Sequence, residues 1–307
     1  MDRFDTLQLF TRIVELGSFS QAAAALAIPR ATATHAIKQL EARLSTRLLD
    51  RTTRQVRPTL DGQAFYERCV HVLSELDDAE SALRHVAASP RGTLRVDMSS
   101  IHAAHVVLPR IDDFRRRYPG IDLVVSSGDR LIDLVREGVD CVIRAGVPRD
   151  STLVARRLAL MPQLICASPA YLERFGTPQH PEQLSSHQSV GFFSSGNTVH
   201  HGIDLVVDGE LRNFTPGGWI ATNDAQGYSV CALSGCGLVQ LPRYHIEHHL
   251  RQGRLVEVLG DWPSPAMPLS ALYPYHRQLS PRVRVFVDWL ASLYEEKFGS
   301  LAANGMA

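Results

Sequence analysis

Up to Leu60 the apolar residues recur every three or four positions, whereas after Thr93 they gather in short runs. Phe4, Leu7, Phe10, Ile13 and Val14 follow helical spacing, and Gly17 is placed to end that helix. Ser18 or Ser20 is suited to cap a short alanine-rich helix over 21–27. A third helix is predicted over 29–44, with Pro29 in its first turn, where a missing N–H costs nothing. It turns Ala33, Ile37, Leu40 and Leu44 inward and leaves Arg30, Thr32, Thr34, His35, Lys38 and Gln39 exposed. The stretch 50–57 reads as a tight two-stranded wing. Beyond Gly62, Phe65, Cys69, Val72, Leu76, Ala79, Leu83 and Val86 alternate in steps of four and three, the pattern of a coiled-coil seam. Ser89-Pro90-Arg91-Gly92 then breaks the helix.

From Thr93 the texture becomes strand, helix, strand. Strands are predicted at 93–98, 121–125 and 139–144, with helices at 102–118 and 131–137 between them. A second block offers strands at 164–167, 190–193, 205–207, 219–221, 238–240 and 269–273. Its helices fall at 169–175, 224–233, 244–251 and 282–298. This is the doubly wound plan, in which ligands bind beyond the carboxyl ends of the strands. Ser99, Ser100, Ser126, Ser127 and Arg144 fall at such ends.

Composition adds little until it is read locally. The 307 residues are 45% hydrophobic and 21% charged, with 32 basic residues against 32 acidic, as in ordinary globular proteins of about two domains. No apolar run is long enough for a membrane span, and Met1-Asp2-Arg3-Phe4-Asp5 lacks the pattern of a secretory signal, so a cytoplasmic location is expected. Five cysteines without a C-x-x-C pair read as reduced thiols. Zero net charge conceals a strong asymmetry. Arg30, Lys38, Arg43, Arg47, Arg51, Arg54 and Arg57 face only Glu41 and Asp50 within 28–60, a local patch suited to phosphate. Short hydrogen-bonding side chains and cations on a helix suit a major groove, and a basic wing suits the flanking backbone.

The segments Ser18-Phe19-Ser20-Gln21-Ala22-Ala23, Leu26-Ala27-Ile28, Ala36-Ile37-Lys38-Gln39-Leu40-Glu41-Ala42-Arg43-Leu44 and Leu48-Leu49-Asp50-Arg51-Thr52-Thr53-Arg54 resemble the winged helix-turn-helix of LysR-type transcriptional regulators. Thr59-Leu60-Asp61-Gly62 matches the turn before the linker helix of that family. Thr34-His35 and Pro29-Arg30 depart from the residues usual there, so no base preference carries over. The resemblance implies an α/β chain with three parts: a DNA-binding domain at 1–60, a dimerising coiled-coil linker helix at 61–90 and a regulatory domain at 91–307. The last is similar to periplasmic binding proteins, with one lobe at 91–163 and 265–301 and the other at 164–264.

It further implies DNA contacts from Ser18, Ser20, Gln21, Arg30, Thr32, Thr34, His35, Lys38, Arg51, Thr53 and Arg54. An interlobe cleft is implied at Ser99, Ser100, Ile101, Ser126, Ser127, Arg144, Phe193 and Asn223. Hydroxyls, helix amides and Arg144 together favour a small organic acid as effector. Implied partners are double-stranded operator DNA, a second or further copies as homodimer or homotetramer, and RNA polymerase if the protein activates.

No enzyme site emerges. Leu233-Ser234-Gly235-Cys236-Gly237 lacks the spacing of a nucleophile elbow, and Gly235-x-Gly237 has no third glycine. His245, His248 and His249, like His200-His201, read as surface histidines, with no carboxylate or cysteine set to complete a metal site. Neither metal nor cofactor is expected. A carrier or enzyme of the binding-protein fold with an N-terminal docking domain is the competing class, and steep salt-dependent DNA binding separates the two.

Overall fold

A reciprocal cap opens the first helix, α1 (Arg3–Leu16): Asp5 N–H donates to Asp2 Oδ1 and Asp2 N–H donates to Asp5 Oδ2. Gly17, at φ 59°, ends it. The computed structural model describes residues 1–51, 56–83, 90–129, 134–147, 153–193, 198–274 and 280–299. Two compact units appear, Met1–Ala88 and Ser89–Ala307.

In the first unit α2 is Phe19–Ala25, two residues earlier than the alanine run suggests, because Ser18 rather than Ser20 accepts the Gln21 N–H. The third helix, α3 (Arg30–Leu44), has Pro29 as its extended cap residue instead of inside the first turn. Ala33, Ile37 and Leu40 point inward as the spacing requires, but Leu44 is 38% exposed and Ala36 is buried instead. Strands β1 (Leu49–Arg51) and β2 (Val56–Pro58) pair antiparallel, Asp50 opposite Arg57. Glu41 Oε1 accepts the N–H groups of Leu48 and Leu49, which ties the base of this hairpin to α3.

Helix α4 (Leu60–Leu83) begins against that base. A side chain at Gly62 would sit 1.8 Å from the Leu48 carbonyl oxygen, so only glycine permits the approach. Phe65 packs on Phe10 with ring centroids 5.5 Å apart, and Cys69 is only 2% exposed. The first two positions of the expected seam therefore close the core of their own unit. Val72, 43% exposed, is the first that does not, while Val86 lies outside the described residues.

The second unit opens with β3 (Gly92–Met98) and α5 (Ser100–His102). The single helix expected over 102–118 is broken: a π turn at Ala103–Val107 and a 3-10 turn at Leu108–Arg110 precede α6 (Ile111–Arg117). Pro109 has no N–H for the carbonyl four residues back and crowds it, so the backbone widens and then tightens. The chain continues through β4 (Ile121–Ser127), α7 (Leu134–Glu137), β5 (Cys141–Ala145) and β6 (Leu153–Met161). Residues 131–133 of the expected 131–137 helix lie outside the described ones.

After Pro162 the chain enters a second sheet. Here lie β7 (Gln163–Ala167), α8 (Pro169–Phe175), β8 (Gly191–Phe192), β9 (Ile203–Val207), β10 (Glu210–Phe214) and β11 (Ala221–Thr222). Then follow α9 (Ala225–Leu233), β12 (Val239–Pro242), α10 (Arg243–Arg251) and β13 (Val256–Val258). Trp219, expected in a strand, stands 71% exposed ahead of β11. The return through β14 (Met267–Pro274) leads to α11 (Pro281–Phe298).

The first lobe is a five-stranded sheet ordered β4-β3-β5-β14-β6, with β3 parallel to β4 and β5, and β14 antiparallel to β5 and β6. Helix α11 buries Phe286, Trp289, Leu290 and Tyr294 in its core. The second lobe centres on β7 between β12 and β13. Two passages, at Pro162 and between β13 and β14, join the lobes, and the residues just after β3 and β4 meet the start of α9.

Candidate functional site

Two surfaces collect the side chains singled out by the sequence. On the first unit, Ser20, Gln21, Arg30, Thr32, His35 and Lys38 are exposed and Thr34 is half-buried. Arg30, Ala31, Thr34, His35 and Lys38 line one shallow depression open to solvent. Thr34 Oγ1 donates to the Arg30 carbonyl at 3.0 Å, and His35 Nε2 meets Gln39 Nε2 at 2.9 Å. Among the described residues neither Arg30 nor Lys38 has an acidic partner. Ser18 departs from the expectation in part: its oxygen is held by the Gln21 N–H. Thr53 and Arg54, and the side chain of Arg51, lie outside the described residues.

The cleft of the second unit is wired differently. Arg144 lies within β5 rather than beyond it, and its Nη2 pairs with Asp97 Oδ1. Its Nη1 donates to the Ile143 carbonyl at 3.1 Å. The guanidinium expected to meet an anion is already met by a buried carboxylate of β3. Ser126 also sits inside its strand, β4, and donates to Asp97 Oδ2 at 2.6 Å. Asp97 is thus the organiser that pattern reading missed; the available signal was an acid between Val96 and Met98 in a strand otherwise apolar at that end.

Three further groups bring the lobes together. Asp224 caps α9 by accepting the Gly227 N–H at 2.6 Å, and Ser100 Oγ reaches across to Asp224 Oδ1 at 3.4 Å. Asp129, just after β4, accepts the Ala225 N–H at 2.9 Å. Burial pushes the Asp129 carboxyl above the usual range and Asp224 adds to this, against the Ala225 N–H, Arg144 and Ser99. Ser99 and Ile101 are buried beside this group. Phe193 is half-buried, its N–H on the Thr222 carbonyl at 3.1 Å, whereas Ser127 and Asn223 are exposed.

Deeper lies a histidine–tyrosine cluster. Tyr244 Oη of α10 lies 2.7 Å from His102 Nδ1 of α5, and Tyr294 Oη of α11 lies 3.3 Å from the same nitrogen. His245 packs edge-on against Tyr244 with both ring nitrogens buried and unpartnered. Burial first, then the Arg144 charge, holds His102 down to about 3; burial, then His102 and His105, hold His245 down to about 3. His245 is therefore not the surface residue its spacing suggested, because its ring packs against His102 of α5 and Tyr244; His248 is exposed. No group of three metal-ligating side chains exists among the described residues.

Residues 4–63 match the family described as "Bacterial regulatory helix-turn-helix protein, lysR family", and residues 87–294 match "LysR substrate binding domain". The uncharacterised HTH-type transcriptional regulator YhjC of Escherichia coli K12 is 38% identical, over 96% of this chain and 99% of its own. The HTH-type transcriptional regulator CrgA of Neisseria meningitidis serogroup C is 35% identical over 93% and 95%. The solved structure of N. meningitidis CrgA superposes with a TM-score of 0.58 at 32% identity, covering 94% of this chain and 97% of that one. Full-length AphB of Vibrio cholerae gives a TM-score of 0.55 at 28% identity, covering 95% and 100%. Regulators of this kind bind DNA and small-molecule effectors and form oligomers. The chain belongs to the LysR family: it is a DNA-binding transcriptional regulator with an effector-binding domain, and not an enzyme.

Proposed function

We propose that α3 reads operator DNA through the face carrying Arg30, Thr32, Thr34, His35 and Lys38. Ser18, Ser20 and Gln21 of α2 then meet the phosphate backbone, and Arg51, Thr53 and Arg54 the flanking groove. The observation that carries this reading is a pair of cations, Arg30 and Lys38, that have no acidic partner among the described residues and stand beside hydroxyl and imidazole groups on one exposed helix face. Two heads joined through α4 beyond Val72 double the contacts, and regulatory units associate further into a tetramer. The working compartment is the cytoplasm; no described helix is long and apolar enough to cross a membrane. At activated promoters the bound protein would meet RNA polymerase. Footprinting on the DNA adjoining its own gene tests the reading. A protected, dyad-symmetric site is the expected result, and uniform weak binding to any DNA contradicts it.

The effector is a small organic acid held between the lobes by Ser99, Ser100, Ile101, Ser126, Ser127, Phe193 and Asn223. Because Asp97 already meets Arg144, hydroxyl and amide donors carry most of the recognition, and the Arg144 charge contributes at longer range. A thermal-shift series of carboxylic acids should raise the melting temperature with concentration. Stabilisation only by cationic compounds would contradict the acid.

A further inference from the structure

The first N–H groups of a helix have no partner inside it and go to water, a capping side chain or a ligand. In α9 the cap residue Asp224 satisfies Gly227. The Ala225 N–H is satisfied instead by Asp129, 96 positions earlier and in the other lobe. This bond runs from a backbone amide to a carboxylate, a pairing stronger than one between neutral groups. Ser100 to Asp224 is longer, at 3.4 Å, and Tyr244 to His102 joins neutral groups. Asp129 holds its place against opposition, since both its burial and the neighbouring Asp224 disfavour its charge. A contact built from opposed contributions of this kind is one that a modest change in the cleft tips over.

We infer that the Asp129–Ala225 bond is an interlobe latch, which holds α9 against the first lobe in the effector-free protein and must be released for the lobes to rearrange. A ligand shifts two arrangements only by its different affinity for each, and the latch sets the gap it has to overcome. Weakening the latch therefore moves effector-free protein toward the rearranged state. The inference rests on an effector acting between the lobes, but not on that effector being an acid.

The test uses the full-length protein without any ligand, so the organic-acid reading has no bearing on its outcome. Hydrogen exchange is followed by mass spectrometry in wild type, Asp129→Ala and Asp129→Asn. The peptide beginning α9 should exchange about tenfold faster in Asp129→Ala. Asp129→Asn, which keeps a carbonyl acceptor, should fall between. Peptides from α3 and α11 serve as fold controls and should match wild type. The effector-free DNA footprint of Asp129→Ala should also differ in length from that of wild type. Unchanged exchange at α9 in Asp129→Ala overturns the latch. Faster exchange with an unaltered footprint overturns its regulatory role.

Discussion

Two arginines, one in each unit, are treated in opposite ways. Among the described residues Arg30 on α3 is exposed and has no acidic partner, while Arg144 on β5 is half-buried and paired with Asp97. A polyanion brings its own charge to a surface, so the protein leaves cations hydrated and ready, and gains when counterions are released. A cleft that closes over a small molecule is dehydrated, and an unpaired charge there would be costly, so the cation arrives with its counter-charge built in. A cation that matters for binding is therefore recognised by what it lacks, and one that matters for architecture by what it has.

That contrast breaks most visibly at Arg144. Arg144→Ala leaves Asp97 buried and unpaired, and should destabilise the second unit by about 3–5 kcal/mol. Calorimetry should show the loss, and Asp97→Asn combined with Arg144→Met should recover most of it. Acid sharpens the same point through the histidines. His102 and His245 stay neutral in the folded chain down to about 3, while the unfolded chain binds protons below about 6.5. Stability is therefore lost as pH falls from 6.5 toward 3, because the unfolded chain binds protons that the buried rings refuse. His102→Phe should flatten that slope in a denaturation series, and an unchanged slope would remove His102 as its source.

Arg30→Ala should behave conversely. Specific DNA affinity should fall by about 1–3 kcal/mol while the melting temperature stays within a degree or so of wild type. A drop in melting temperature comparable to that of Arg144→Ala would erase the distinction between the units. The smallest effect belongs to Ser18. Ser18→Ala removes the α2 cap and should cost about 1 kcal/mol of stability in the first unit, with Ser18→Gly losing only part of that.

The first unit was largely legible because its information is local. Period 3.6 placed α1 to α3, and of the two serines that could cap α2 it is Ser18 that does, a choice local geometry decides. The second unit hides more. Strands β6 and β10 went unread because Arg156-Arg157 and Glu210 to Asn213 lack the apolar alternation of a half-buried strand. Yet Asp208-Gly209, with φ of 52° and 82°, is a hairpin turn signal between β9 and β10 that sequence alone offers. The Asp97–Arg144 pair spans 47 positions and joins two strands, so no local spacing announces it. His245 shows the same limit: helical periodicity places its ring on α10 but does not announce its packing against His102 of α5. The seam of α4 has a related limit: Phe65 and Cys69 pack in their own unit, and heptad spacing marks an apolar face without saying whether it meets the same unit or a second copy.

The account turns on hydrated, partnerless cations of α3 meeting phosphate and bases. Operator affinity measured across a salt series, for wild type and Lys38→Ala, addresses this directly. Wild type should show a steep linear fall of log K with log salt, and Lys38→Ala should bind more weakly with a slope shallower by about one. An identical slope and affinity in the two proteins would contradict the placement of α3 against DNA.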